Sequence, residues 1–161
     1  MAVVITDAQI AQLRAVPKKL LNPRARPKQA ERMILHDYQV ESLDEQHAFS
    51  IYKRQNEIDP TDFSTGIRWH NGQTEVTLAR YNGSSHEHTN VLEHETLSFV
   101  CHIHVATERY QAADRKPESY ASESAAYSDL DGAFKQLLKD WNIPANPPSG
   151  GSGSTQTSLP L

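Results

Sequence analysis

Histidine is concentrated in one short part of this chain. Five of the eight histidines fall between residues 80 and 110, and four of these form two His-x-His pairs, His86 with His88 and His102 with His104. Imidazole has the side-chain pKa closest to neutrality, so it can accept or donate a proton, and its bare nitrogen is a common metal ligand. The density and spacing of these residues therefore predict a functional site built from this segment.

The second pair lies in a segment with the pattern of a β-strand, residues 97–110. Its odd positions are apolar through Val105, whereas its even positions include His102 and His104. Because side chains of a strand alternate between the two faces of a sheet, we expect one face in the core and both histidines side by side on the solvent-facing side. The same alternation turns Cys101 inward, which argues against Cys101 as a nucleophile or a ligand.

One chemistry that suits this site is metal-free cleavage of a phosphodiester, above all of RNA. Such a reaction needs a base for the 2′-hydroxyl proton, an acid for the leaving oxygen and cations on the phosphate. We expect His102 and His104 to be acid and base, with an arginine on the phosphate and a tyrosine stacked on a nucleobase. The full candidate set is His86, His88, His102, His104, Arg80, Tyr81, Glu108 and Arg109. No cofactor is required in this interpretation.

Two alternatives use the same residues. A glutamate follows each His-x-His pair, Glu93 the first and Glu108 the second, and imidazole with carboxylate suits zinc, iron, nickel or manganese. In that interpretation His86, His88, His102 and His104 are the metal ligands. In the other, the histidine face is a non-catalytic surface for a protein partner, such as an inhibitor or an antitoxin-like protein.

Composition sets the broader class. The 161 residues have a net charge of −4 and 37% apolar residues, and the mean hydropathy is −0.64, which together are typical of one small water-soluble domain. We expect that domain to span residues 1–143 and a Pro/Gly/Ser-rich tail, residues 144–161, to be disordered. A single cysteine and the lack of a membrane-length apolar run predict a cytoplasmic protein with no membrane contact.

The N-terminal half supplies elements that can position the site. Thr6 with Gln9 predicts a capping box that opens a helix ending near Val16. The next eleven residues, 18–28, are basic and rich in proline, which favours a loop, either a solvated connector or a phosphate contact. Four strands are predicted over residues 32–42, 46–55, 63–70 and 73–81. Asn71-Gly72 is a hairpin signal that would pair Ile67 with Val76.

The C-terminal half completes the fold. We predict a loop of about fifteen residues, 82–96, between the fourth strand and the histidine strand, and long loops of this kind are often functional. A final helix capped by Ser128 and ending near Trp141 carries apolar residues at helical spacing. The resulting fold is α+β, with the order α-β-β-β-β-β-α. Its mainly antiparallel sheet of about five strands is covered on one face by the two terminal helices, and the other face stays open.

Two motifs resemble those of an uncharacterised family of small bacterial and prophage proteins. The first is Arg-Tyr-Asn-Gly-x-x-His-x-His-x-Asn from Arg80, and the second is His-Ile-His-x-Ala-Thr-Glu-Arg-Tyr from His102. The helix over residues 127–143 is similar as well. The resemblance implies a bacterial, phage or mobile-element setting, in which small ribonucleases, their inhibitors and anti-defence proteins are common. It implies no particular reaction.

Overall fold

The computed structural model describes residues 3–145, so most of the predicted tail lies outside the described residues. Three helices and ten strands follow one another along this part of the chain. Their order is α1 Asp7–Ala15, β1 Lys18–Leu20, β2 Lys28–Ala30, β3 Met33–Ser42, β4 Ala48–Asn56, β5 Phe63–Asn71, β6 Thr74–Asn82, β7 His88–Asn90, β8 Glu95–Leu97, β9 His102–Val105, α2 Glu108–Ala112, β10 Tyr120–Glu123 and α3 Leu130–Asp140. The fold is α+β, as the sequence predicted.

Eight strands form one antiparallel sheet in the order β1-β3-β4-β5-β6-β9-β10, with β2 paired to the same edge of β3 as β1. The remaining strands, β7 and β8, form a separate hairpin. The prediction of about five strands was therefore too low. Three short strands of this sheet were not predicted: β1 in the basic segment, β2 at the end of that segment, and β10 in a polar stretch without alternation. The predicted loop over residues 82–96 was wrong as well, because it contains β7 and most of β8.

Both terminal helices begin at residues that can cap them. The predicted capping box at Thr6 is present, with Gln9 reaching back to the Thr6 backbone. At α3 the cap is Asp129 rather than Ser128, because the Asp129 carboxylate accepts a 2.8 Å hydrogen bond from the Gly132 backbone. Each cap satisfies a backbone N–H that has no partner inside its helix.

The core lies between one face of the sheet and the terminal helices. α3 packs on β4, β5 and β6, and α1 adds Leu13 to the same cluster of buried side chains. The members of that cluster include Val40, Phe49, Ile51, Ile67, Tyr81, Leu137 and Trp141. The helical spacing of α3 thus buries one apolar stripe against the inward-facing residues of the strands.

The β5–β6 hairpin forms with a shifted register. Gly72, at φ +67°, is the first of two turn residues, so Trp69 rather than Ile67 pairs with Val76. A β-bulge beside Ile67 then moves the register again, and Ile67 pairs with Ala79. The predicted turn was one residue too early, and the bulge returns Ala79 to the apolar face.

The basic segment also differs from the predicted loop. Lys18 lies in β1 and is only 1% exposed. Its ammonium donates to the carbonyls of Arg14, Val16 and Trp141, and burial lowers its pKa to about 8. Lys18 therefore joins the ends of α1 and α3 instead of contacting a phosphate. No helix within residues 3–145 is long and apolar enough to cross a membrane.

Candidate functional site

The polar face of the sheet places the site residues in rows. Arg80 on β6 pairs with His104 on β9, and Asn82 pairs with His102. The Arg80 row continues through Gly66 to Tyr52 on β4. Because side chains of paired residues share a face, this register sets cations and imidazoles side by side.

The two His-x-His pairs meet in space. The ring centre of His102 lies 5.3 Å from that of His86, 5.8 Å from that of His88 and 5.1 Å from that of His104. The ring centre of His88 lies 4.6 Å from that of His104. Four imidazoles from two separate stretches of backbone thus form one compact group, which we call the histidine cluster.

The expected open, solvent-facing histidine surface was wrong. His102 is 0% exposed and His104 is 3% exposed, because the β7–β8 hairpin brings the His88 ring onto both of them. Asn90 secures this hairpin: its side chain accepts a hydrogen bond from the Ala121 N–H of β10 and donates to the Ala121 carbonyl. Within the cluster His86 is exposed and His88 is partly exposed.

The buried pair has defined tautomers. Nδ1 of His102 donates to the Val100 carbonyl at 2.8 Å, and Nδ1 of His104 donates to the Glu118 carbonyl at 2.9 Å. A carbonyl oxygen can only accept, so each Nδ1 carries the proton, and each neutral ring has a bare Nε2. Both side chains therefore offer an acceptor rather than a donor at Nε2.

Burial also keeps these two rings uncharged. Burial, with smaller contributions from the neighbouring Arg80, His88 and His102, lowers the pKa of His104 to about 3 against the opposing bond to Glu118. Burial lowers the pKa of His102 as well, against the opposing bond to Val100 and with smaller lowering by His86, His88 and Arg80. Desolvation and neighbouring positive charge both disfavour an imidazolium, so the pair is neutral near pH 7.

His88 has a fixed orientation too. Its Nε2 lies 2.9 Å from Oδ1 of Asn90. The two bonds between Asn90 and the Ala121 backbone identify Oδ1 as the acceptor end of the amide. His88 therefore donates from Nε2, and its Nδ1 is the atom left for chemistry.

Arg80 lies beside the histidine cluster with hydrogen-bonding capacity to spare. Its buried Nε has no partner, and its Nη1 forms an ion pair with the Glu118 carboxylate at 3.8 Å, which is longer than a hydrogen bond. Oδ1 of Asn82, a residue only 7% exposed, is also buried without a partner. Unpaired buried polar groups are costly, so their presence at one place indicates a ligand or ordered water there.

Two cavities flank the cluster, and Arg80 lines both. The larger, of about 570 Å³, includes His86, Asn82, Arg68 and Tyr52 in its wall. The smaller, of about 240 Å³, is lined by His88 and His104 together with Arg115, Lys116 and Glu118. We call them the first and the second cavity.

Three predicted site residues lie elsewhere. Tyr81 belongs to the apolar core, where its hydroxyl donates to Asp140 of α3. Glu108 accepts a hydrogen bond from the backbone of Asp7 near the start of α1, so it holds two helix starts together. Arg109 pairs with Glu93 at the hairpin and lies over the Tyr120 ring. None of the three points into the histidine cluster.

Several site residues were not predicted. Tyr52 lies flat over Gly66, where an added Cβ would come within 2.7 Å of the Tyr52 ring. Arg68 in turn lies 4.6 Å from the centre of that ring. The glycine inside a strand was an available signal of close approach. Asn82 stands two residues after Arg80, which places it on the same face of the strand.

The donor atoms of the cluster are not set around a single ion. Within residues 3–145 no group of three or more His, Cys, Asp or Glu side chains is arranged, as the side chains stand, so that it could hold a metal. Nε2 of His88 is directed at Asn90 instead of at the other rings.

Comparison with family models, with curated proteins and with solved structures found no match to this chain. The resemblance to small bacterial and prophage proteins thus stays a prediction.

Proposed function

We propose that this protein cleaves RNA by metal-free transesterification at the histidine cluster. The observation that carries the proposal is the meeting of four imidazoles beside Arg80, a partly buried cation with an unpaired Nε. Arg80 supplies positive charge for a phosphate from a partly buried position, and partial burial makes the attraction between the two charges stronger than it is in bulk water.

The proton transfers belong to the accessible half of the cluster. A base with a pKa near 3, as His104 has, is too weak to take a hydroxyl proton efficiently at neutral pH. His86 and His88 reach solvent and can exchange protons with it. We therefore assign the acid and base roles to His86 and His88. The bare Nε2 atom of His104 accepts a hydrogen bond from the group that reacts and orients it, whereas Nε2 of His102 already lies 3.5 Å from the Asn82 amide nitrogen.

RNA fits this chemistry better than DNA. Without a metal-activated water, cleavage needs a nucleophile within the substrate, and the 2′-hydroxyl of RNA provides one next to each phosphate. The base removes the 2′-hydroxyl proton, that oxygen bonds to phosphorus, and the 5′-oxygen leaves with a proton from the acid. The products are a 2′,3′-cyclic phosphate and a free 5′-hydroxyl, so atoms and charge balance.

The test is incubation of the full chain with matched single-stranded RNA and DNA in excess EDTA. We expect 2′,3′-cyclic phosphate ends from RNA and no cleavage of DNA. His88→Gln should lower the rate by at least about a hundredfold, the usual contribution of one acid–base group. His94→Asn replaces an exposed histidine at φ 55° and should leave the rate unchanged. Intact RNA at micromolar protein would overturn the proposal.

A second candidate, metal binding, is favoured by a separate observation. Metal-ligating histidines usually donate their other ring nitrogen to a carbonyl or carboxylate, as His102 and His104 do. Two imidazoles on one tetrahedral ion have ring centres about 5 Å apart, and the measured spacings run from 4.6 to 5.8 Å. His86 or His88 would have to turn to complete the ligand set.

Metal analysis separates the two candidates. Protein purified without chelator should contain about one equivalent of zinc, nickel, iron or manganese if the cluster is a metal site. His104→Gln should then abolish the metal content, whereas His94→Asn should not. Cleavage that persists in EDTA by metal-free protein supports the first candidate, and cleavage restored only by added metal supports the second.

A further inference from the structure

We propose that the two cavities are successive subsites for one single RNA strand, with the scissile phosphate held between them at Arg80. This inference rests on the proposed function and adds the substrate class to it. The substrate is then a single-stranded oligonucleotide, rather than a mononucleotide or a duplex.

The first cavity offers two guanidinium groups to a ligand. Arg54 is already paired with Asp62 at 2.8 Å, and the Lys53 ammonium lies on the helical side of the sheet, 4.4 Å from the Phe134 ring centre. Arg68 remains, together with the unpaired Nε of Arg80, whose Nη1 forms a longer ion pair with Glu118 at 3.8 Å. Arg68 is stacked on Tyr52, which leaves its N–H edge for a phosphate and its outer plane for a nucleobase.

The second cavity, on the other side of the cluster, also has positively charged side chains in its wall. Arg115 and Lys116 line it and are both exposed. Glu118 is the only carboxylate among its lining residues, and it is 7% exposed. The chain as a whole carries −4, so general attraction to RNA is absent. Binding therefore depends on these local cations.

Arg80 connects the two cavities. It lines both, and its Nε is unpaired. His86 lies in the wall of the first cavity, whereas His88 and His104 lie in the wall of the second. A strand that passes from one cavity to the other therefore brings a phosphate to Arg80, with a solvent-accessible imidazole on each side. This is the arrangement that separate acid and base roles require.

The sizes of the two cavities favour a single RNA strand over a duplex. A volume of about 570 Å³ falls in the usual range for sites that enclose small ligands, roughly 300–1,000 Å³, which is enough for one nucleotide. About 240 Å³ suits a phosphate with part of its sugar. The 0% exposure of His102 and 3% exposure of His104 place the buried half of the cluster below the surface, beneath His86 and His88. A duplex is too wide to bring its backbone there, whereas an unpaired strand can enter.

Binding without turnover tests this inference. The probes are 2′-O-methyl hexauridylate, which has no free 2′-hydroxyl and cannot be cleaved, uridine 3′-monophosphate, and a 2′-O-methyl duplex. Affinities come from fluorescence anisotropy and competition, using the full chain at salt concentrations of about 50 to 200 mM. We expect the hexamer to bind at least about tenfold more tightly than the monophosphate or the duplex.

Variants then separate the cavities. Replacing both Arg115 and Lys116 with alanine should weaken hexamer binding about tenfold and leave monophosphate binding within twofold. The slope of log affinity against log salt should fall by about 0.7 for each cation removed. Arg68→Ala should weaken binding of both ligands. Lys135→Ala removes a 71%-exposed charge from α3 and should change neither.

Each result decides a different point. Equal affinity for hexamer and monophosphate, or an effect of Lys135→Ala as large as that of the double variant, would overturn the two-subsite proposal. If the probes bind as expected but unmodified RNA stays intact, the strand-binding inference stands and the nuclease function fails. If RNA is cleaved without any preference for length, the two-subsite proposal fails alone.

Discussion

The two faces of the same strands have opposite characters. On the helical face, Tyr81 and Ala79 enter an apolar core closed by α3. On the other face, Arg80 and Asn82, their immediate neighbours, carry polar atoms without partners. Strand alternation produces both faces from one sequence. The first face holds the fold together, with the Trp141 Nε1 as its one buried polar side-chain atom without a partner among the described residues. The second has two such atoms side by side on one strand and lines the two cavities, so it is available for a ligand.

The largest expected stability effect belongs to the helical face. Leu137 is 0% exposed at the centre of the α3 stripe, so Leu137→Ala should lower the free energy of unfolding by about 2–5 kcal/mol. Urea denaturation measures this loss. Leu92→Ala removes a 39%-exposed leucine between β7 and β8 and should change stability by no more than about 0.5 kcal/mol. Similar losses in both variants would contradict the division between the faces.

The next effect concerns the attachment of the hairpin to the polar face. Asn90→Ala removes the side chain that pairs with the buried Ala121 N–H and carbonyl. Leaving those groups unpaired should cost about 1–3 kcal/mol. Amide hydrogen exchange in residues 88–97 should rise by more than that in β4 or β5, because only the hairpin is released. Leu92→Ala, at an exposed position between the two strands of the same hairpin, is the matched control. Equal protection in the two variants would argue against Asn90 as the anchor.

Much of the helical face could be predicted from the sequence, because alternation in β3 to β6 and the helical spacing in α3 are strong signals. The histidine strand was harder. The apolar odd positions run without a break from Leu97 past Phe99 to Val105. In the structure, however, Phe99 has φ 52° and is 61% exposed. The backbone therefore turns at Phe99, and β9 starts only at His102. At the other end Thr107 caps α2, since its hydroxyl accepts from the Tyr110 N–H.

The candidate site was predictable only in part, for a related reason. The density of histidines in the sequence was enough to identify the members of the cluster. It could not show that the β7–β8 hairpin covers them, because that hairpin is held by a contact between Asn90 and Ala121, which are 31 positions apart. The prediction that Tyr81 belongs to the site was wrong, and the sequence alone could have shown this. Adjacent residues in a strand point to opposite faces, so Arg80 and Tyr81 could not both face the site.

A pH effect follows from the buried imidazoles. The pKa of His104 is about 3 in the folded chain against an ordinary 6.5, so the unfolded chain binds more protons between those values. Stability should therefore fall as the pH drops from about 6.5 towards 3, by about 1.4 kcal/mol per pH unit for this proton. His104→Gln should flatten that slope in urea denaturation, and His94→Asn should keep it. If the free energy of unfolding of His104→Gln depended on pH as steeply as that of the unsubstituted protein, other titratable groups would be responsible for the sensitivity to acid.

The smallest effect tests whether the polar face contributes to folding at all. Tyr52 lines the first cavity together with Arg68 and Arg80. Burial raises the pKa of its hydroxyl, and Arg80, Ser64 and Arg68 oppose that rise whereas Glu118 adds to it. Tyr52→Phe keeps the ring over Gly66 and removes only the hydroxyl. Stability should change by about 1 kcal/mol at most, because the hydroxyl supports the site more than the fold. Anisotropy with 2′-O-methyl hexauridylate should instead show weaker binding, by about five- to tenfold. A loss of stability without a loss of binding would reverse the roles of the two faces at this residue, because the hydroxyl would then be supporting the sheet and not the ligand.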